Sequence, residues 1–229
     1  MSHMKAMYRV FNYCLNTSER GKIFKPRRTC LHKDIADFEF EIYGYSDSDY
    51  AKDPIKRRSV SGYSSFLEGC TVNTKSRMQP ITALSVTEAE LIAATECAQD
   101  LVFIKNVLES IGLKVRLPMN LNIDNSGCID LICNWSAGGR TRHIDTRMYF
   151  LHELKEEEPT PIVMPLYCPT QLNHSDLFTK NNDMNTFEEH TSVYCTDEVF
   201  DETRGPNCSR GGCWSELLQC DPDGIIGCS

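Results

Sequence analysis

The chain has 229 residues, 41% of them hydrophobic, enough for one ordinary domain with extensions, and no apolar run nears the ~20 residues of a membrane span. Its net charge of −8 argues against a nucleic-acid partner until it is located: residues 1–180 carry 22 basic and 22 acidic side chains, and residues 181–229 carry 2 and 10. Twelve cysteines without a CxxC pair exclude a zinc ribbon and are expected to be free thiols, while Lys5, Arg9 and Asn12 break any leader-like apolar stretch, so a cytoplasmic or nuclear setting is expected.

In chain order, Met4, Met7, Tyr8, Phe11, Cys14 and Leu15 share a helical stripe over residues 2–16. A polar, basic connector follows. Residues 38–45 alternate and are aromatic, which predicts a strand ending at Asp47, and residues 59–68 and 70–79 predict two more, joined around Gly69 into an antiparallel meander. SVTE, from Ser85 to Glu88, is a capping box. Leu91, Ala94, Ala98, Leu101, Ile104, Leu108 and Ile111 then continue a helix to Gly112. Residues 117–124 predict a short strand and 125–133 a short helix. Residues 144–156 predict another helix, 162–168 an edge strand interrupted by Pro165, and 175–180 the start of a final helix. This order predicts one mixed α/β sheet with helices packed on it.

Acids fall at related places in this plan. Asp47 and Asp124 end strands, Asp176 begins the last helix, and Glu88 and Glu90 lie in the first turns of the long helix. Carboxylates gathered at one sheet rim repel one another unless divalent cations neutralise them, and carboxylate oxygens suit Mg²⁺ or Mn²⁺. Glu88 is accounted for as the capping-box acid. Glu90 is embedded in the apolar stripe, where an unpaired acid is penalised, so it is the candidate ligand. Asp49 is assigned a secondary or turn role. The basic clusters Lys52–Lys56–Arg57–Arg58, Lys75–Arg77 and Arg140–Arg142–Arg147 read as solvated faces or as a polyanion surface.

The stretches GYSDSDYAKDPIKRRSVSGYSSFLEGC, QPITALSVTEAELIAATECAQDLVFIKNVLESIGL, IDNSGCI, RTRHIDTRMYFLHEL and CPTQLNHSDLFTK resemble, in the same order, the ribonuclease H region of copia-class LTR retrotransposon polyproteins. The resemblance covers residues 2–180. Tyr50, Thr74, Met78, Gly138 and Tyr149 depart from the family pattern without removing a proposed ligand. The resemblance implies a ribonuclease H-like mixed sheet, three antiparallel strands and then parallel ones, flanked by helices. It implies a connector from reverse transcriptase over residues 1–34 and the domain over 35–182; past Lys180 it fades, and residues 183–229, acidic, weakly periodic and rich in Cys and Gly, are expected to be a disordered tail, either a genuine interaction segment or read-through into terminal repeat sequence.

By the same resemblance Asp47, Glu90, Asp124 and Asp176 hold two Mg²⁺ or Mn²⁺ ions for hydrolysis of the RNA strand of an RNA/DNA hybrid. Ser46, Arg57, Arg58, Lys75, Arg77, Asn125, Ser126, Arg140 and Arg142 are the candidate nucleic-acid contacts. His143 is read as part of a structural cluster with Arg142 and Asp145, and His174 as a surface residue at a helix start. The expected partners are the hybrid and the parent's reverse transcriptase, with no membrane, in a cytoplasmic virus-like particle or the nucleus. A silent remnant that folds and binds without turnover is the alternative. An integrase-like nuclease is disfavoured by the acid at Glu90.

Overall fold

The computed structural model describes residues 2–196, apart from residues 19, 23, 25, 29–36 and 135–141. The chain divides into two units, residues 1–21 with 196–229, and residues 22–195. In the first, helix α1 (Ser2–Asn16) forms over the expected stripe, and Met7, Tyr8, Phe11 and Leu15 are exposed. The tail expected to be disordered lies, from residue 197 onward, outside the described residues.

The second unit is built on strands β1 (Ile42–Asp49), β2 (Val60–Leu67), β3 (Cys70–Met78), β4 (Met119–Ile123) and β5 (Val163–Tyr167), ordered β3-β2-β1-β4-β5. The first three are antiparallel, with β2 and β3 joined by the turn Glu68–Gly69, both residues at positive φ. β4 runs parallel to β1, and β5 parallel to β4. This is the mixed α/β sheet expected from the sequence, three antiparallel strands and then parallel ones. β5 is an edge strand, where Pro165, opposite Leu121, removes a donor at least cost.

β1 is covered on both faces, so it is buried along nearly its whole length. Ile42 joins the core formed with helix α2 (Val86–Ser110). Tyr43 and Tyr45, one position out of phase, pack on the opposite face with Phe66 and Tyr194. α2 starts as its sequence predicts. The Ser85 side chain accepts from the Glu88 amide at 3.1 Å, and the Glu88 carboxylate accepts from the Leu84 amide at 2.7 Å, one residue before the cap. Leu91, Ala94, Ala98 and Leu101 meet Leu121, Ile123, Ile132 and Leu151 in the main core, at about 1.5–3 kcal/mol for each large side chain removed from water. Ile111, placed on the stripe by its spacing, is 68% exposed because it lies past the last helical turn. Helices α3 (Ser126–Cys133), capped by the Asn125 side chain, and α4 (Arg142–Glu156), with Leu151 and Leu154 inward, complete this layer.

Two expectations need correcting. The last segment before Lys180 is a pair of 3-10 turns, Thr170–Leu172 and His174–Phe178, in place of an α-helix. The domain also runs past both expected boundaries. The Arg27 amide donates to the Glu68 carbonyl at 2.7 Å, ahead of residue 35. Beyond residue 182, Asp183 caps helix α5 (Met184–Thr191), and buried Tyr194 donates its hydroxyl to Ser64 at 3.0 Å. Among the described residues no helix is long and apolar enough to cross a membrane.

Candidate metal centre

Asp47 lies within β1, opposite Gly62, two residues short of the strand end at which it was expected. It is 1% exposed. The Thr179 hydroxyl donates to its Oδ2, and Lys180 Nζ stands 3.4 Å from Oδ1. Burial pushes this carboxyl up to about 6; Lys180 and Thr179 oppose the rise, and the charges of Asp176 and Asp124 add to it.

Glu90, in the second turn of α2, is 3% exposed. Its Oε1 accepts from the Ser48 amide at 3.2 Å and the Ser48 hydroxyl at 2.8 Å. Its Oε2 is buried with no hydrogen-bond partner among the described residues. Burial, and then the charges of Asp47 and Asp124, hold this carboxyl well above the usual carboxylate range. Asp124 follows β4 directly and accepts from the Thr170 hydroxyl at 3.0 Å. Asp47, Glu90 and Asp124 each present an oxygen, and the three oxygens lie within 4.8 Å of one another.

Asp176, 7% exposed, stands beside this trio on the second 3-10 turn and is linked to it through Lys180, whose Nζ is 2.5 Å from Asp176 Oδ1. Two features seat that turn. Asn173, fully buried, donates to the Ser46 carbonyl at 2.9 Å and accepts from Ser175 N and Oγ at 3.2 and 2.6 Å. A Cβ at Gly62 would come within 2.6 Å of Thr179 Cγ2 and 2.9 Å of Phe178 Cβ, so only hydrogen there lets the turn lie on β2.

The donor set suits a hard divalent cation. It is all oxygen, it comes from three separate segments, and it includes one buried acceptor atom that no described protein group satisfies.

The other expected site residues are scattered. Arg57 and Arg77 are exposed and Arg58 partly so. Ser126 is exposed at the start of α3, and Asn125 spends its Oδ1 on the Cys128 amide at 3.0 Å. Ser46 is a correction, since it is fully buried in β1 and cannot reach a duplex. Lys75 is engaged by Glu96 at 3.2 Å and sits 5.5 Å from the centre of the Tyr63 ring. Arg140 and the side chains of Arg142 and His143 lie outside the described residues. Asp49 pairs with Lys52, in keeping with a turn role. His174, expected at the surface, is half-buried. It packs on the Tyr45 ring at 5.0 Å with its Nδ1 3.1 Å from His190 Nδ1, and burial, then His190 and Arg27, lower it to about 4.

Sequence reasoning missed Ser48, Asn173, Thr179 and Lys180, the groups that hold the acids in place. The only signal for them is position: Ser48 follows Asp47, and the other three flank Asp176 within eight residues.

No protein-family model matches the chain. It is 35% identical over 147 residues, 64% of its length, to the retrovirus-related Pol polyprotein from transposon TNT 1-94 of Nicotiana tabacum. It is 24% identical over 190 residues, 83% of its length, to that from transposon RE1 of Arabidopsis thaliana. The chain spans only 11% and 12% of these two relatives. Among solved structures, LC11-RNase H1 in complex with RNA/DNA hybrid aligns with a TM-score of 0.45 and 14% identity, over 61% of this chain and 94% of that one.

Proposed function

We propose that this chain, a homologue of a short segment of the retrovirus-related Pol polyproteins of plant transposons, is the ribonuclease H module of such a polyprotein and hydrolyses the RNA strand of an RNA/DNA hybrid. The observation that carries the reading is the trio Asp47, Glu90 and Asp124, with its unsatisfied Glu90 oxygen. A buried acid cluster of this kind is costly in a protein that does not use it. Asp47, Glu90 and Asp124 would hold one Mg²⁺ or Mn²⁺, and Asp176 with Asp47 a second. Ions so placed, when bound, activate water for in-line attack on phosphorus and stabilise the leaving 3′-oxygen.

The chain's own groups supply positioning. Ser48 fixes one Glu90 oxygen and leaves the other buried without a protein partner among the described residues. Thr179 orients Asp47. Arg57 and Arg77, exposed, supply salt-sensitive phosphate contacts, and Ser126, exposed at the start of α3, can bond the sugar-phosphate backbone. None of these reads bases, as fits a hybrid recognised by groove shape and the 2′-hydroxyl. The work would be done beside the parent's reverse transcriptase, in a cytoplasmic particle or the nucleus.

The test is cleavage of a labelled hybrid by the purified chain with Mg²⁺ or Mn²⁺. Cation-dependent cutting of the RNA strand that Asp124→Asn abolishes is the expected result. Binding of the hybrid without cutting, at any concentration of either ion, would replace this reading with that of a silent remnant.

A further inference from the structure

We propose that Lys180 is a built-in cation occupying the place between Asp47 and Asp176, so that the protein takes one divalent cation strongly and a second only by displacing this side chain. The proposal rests on the reading of the acid cluster as a cation site, and it assigns the two positions unequal affinities.

The two ends of the cluster differ in what already touches their oxygens. At one end Glu90 Oε2 is buried and unpartnered, and Asp124 accepts only from the neutral Thr170 hydroxyl among the contacts described. An ion held there meets no ammonium on Glu90 or Asp124, and at Asp47 it shares with Lys180 only the longer, 3.4 Å contact to Oδ1. At the other end the Lys180 ammonium is 2.5 Å from Asp176 Oδ1 and 3.4 Å from Asp47 Oδ1, while Thr179 holds Asp47 Oδ2. A divalent ion placed between Asp47 and Asp176 would need those same oxygens. It would also stand within a few ångströms of a like charge in a partly buried setting, where screening is weak. Both cannot stay.

Lys180 is able to leave. Its side chain is 35% exposed, against 1% for Asp47 and 10% for Asp176, and its four-carbon stem gives the ammonium a route to water. In place, it links two acids brought together from remote parts of the chain. Lys180 is therefore a positioning residue in the cation-poor protein and a competitor of the second ion in the cation-rich one.

Mn²⁺ binding to the full chain, stripped with EDTA and followed by the electron paramagnetic resonance of free Mn²⁺, tests this. In the wild type one ion should bind at least tenfold more tightly than the next. Lys180→Gln should tighten the second ion tenfold or more and change the first less than threefold. Lys180→Arg, which keeps the charge, should retain the wild-type pattern. Two ions of equal affinity in the wild type overturn the proposal whatever the variants do. So does a second-ion affinity that Lys180→Gln leaves unchanged, and in either case the cluster reading survives. Absence of Mn²⁺ binding, or binding indifferent to Asp124→Asn, removes the cluster reading and this proposal together.

Discussion

Asp47→Asn should reveal how much the fold gives up to keep a charge inside β1. In the cation-free protein this carboxyl is pushed from an ordinary 3.8 up to about 6, chiefly by burial. A group whose folded value is raised adds stability that is complete below the unfolded value and is lost as pH climbs through the folded one. The full loss is worth about 3 kcal/mol, and about 2 kcal/mol of it falls between pH 4.5 and pH 8. Asparagine has the shape of the protonated acid and does not titrate. The variant should therefore be ahead by about 1 kcal/mol at pH 4.5 and by about 3 kcal/mol at pH 8. Removing the Asp47 charge also eases ionisation of Glu90, which acts in the same direction. His174, lowered to about 4, titrates in an overlapping window with opposite sign, but it is common to both proteins and cancels in the difference. The assay is urea unfolding by circular dichroism in EDTA at the two pH values. A stability difference that does not change with pH, or that favours the wild type at pH 8, would refute the reasoning.

The same cost should be recovered by cations. Mg²⁺ at 100 times its dissociation constant should raise wild-type stability at pH 8 by about 2.7 kcal/mol, with no gain in Asp124→Asn, as read from thermal unfolding. Gly62→Ala forces the 3-10 turn off β2 and should cost about 1–3 kcal/mol in urea unfolding, as overpacked sites do. It should weaken Mn²⁺ binding as well, because Asp176, Thr179 and Lys180 move with the turn. Ending the chain after Asn182 uncovers Phe66 and Tyr43 by removing Tyr194, and should cost about 3–5 kcal/mol, the range for loss of a buried aromatic. An unchanged urea midpoint would show that α5 is dispensable.

Much of this architecture is written in local patterns. The capping box at Ser85, the stripe from Leu91 to Ile104 and the turn at Gly69 each act within a few residues, and each produced the element expected of it. α5 is different. MNTFEEHT carries no apolar stripe, and its helix depends on the Asp183 cap and on burial of His190 against the rest of the domain, neither of which its own periodicity can show. The 3-10 form of the segment around Asp176 has the same origin. Asn173 spends its side chain on Ser46 and Ser175, and that ties the chain down within a single tight turn.

At the site, the acids stand out because carboxylates in apolar or strand-end positions demand an explanation. Their partners do not stand out. Ser48, Thr179 and Lys180 are ordinary polar residues in sequence, and their roles come from segments remote in the chain. Ser46 was misplaced for a related reason. A polar residue in a strand looks solvent-facing unless the strand is known to be covered on both sides, as β1 is. Lys75 looked available because Glu96, which engages it, comes from α2.

Thr179 and Asp47 are 132 positions apart, and Asn173 and Ser46 are 127 apart. During translation, then, Asp47 emerges from the ribosome long before anything that will hold it, and the acid cluster stays unassembled until the segment around Asp176 has docked.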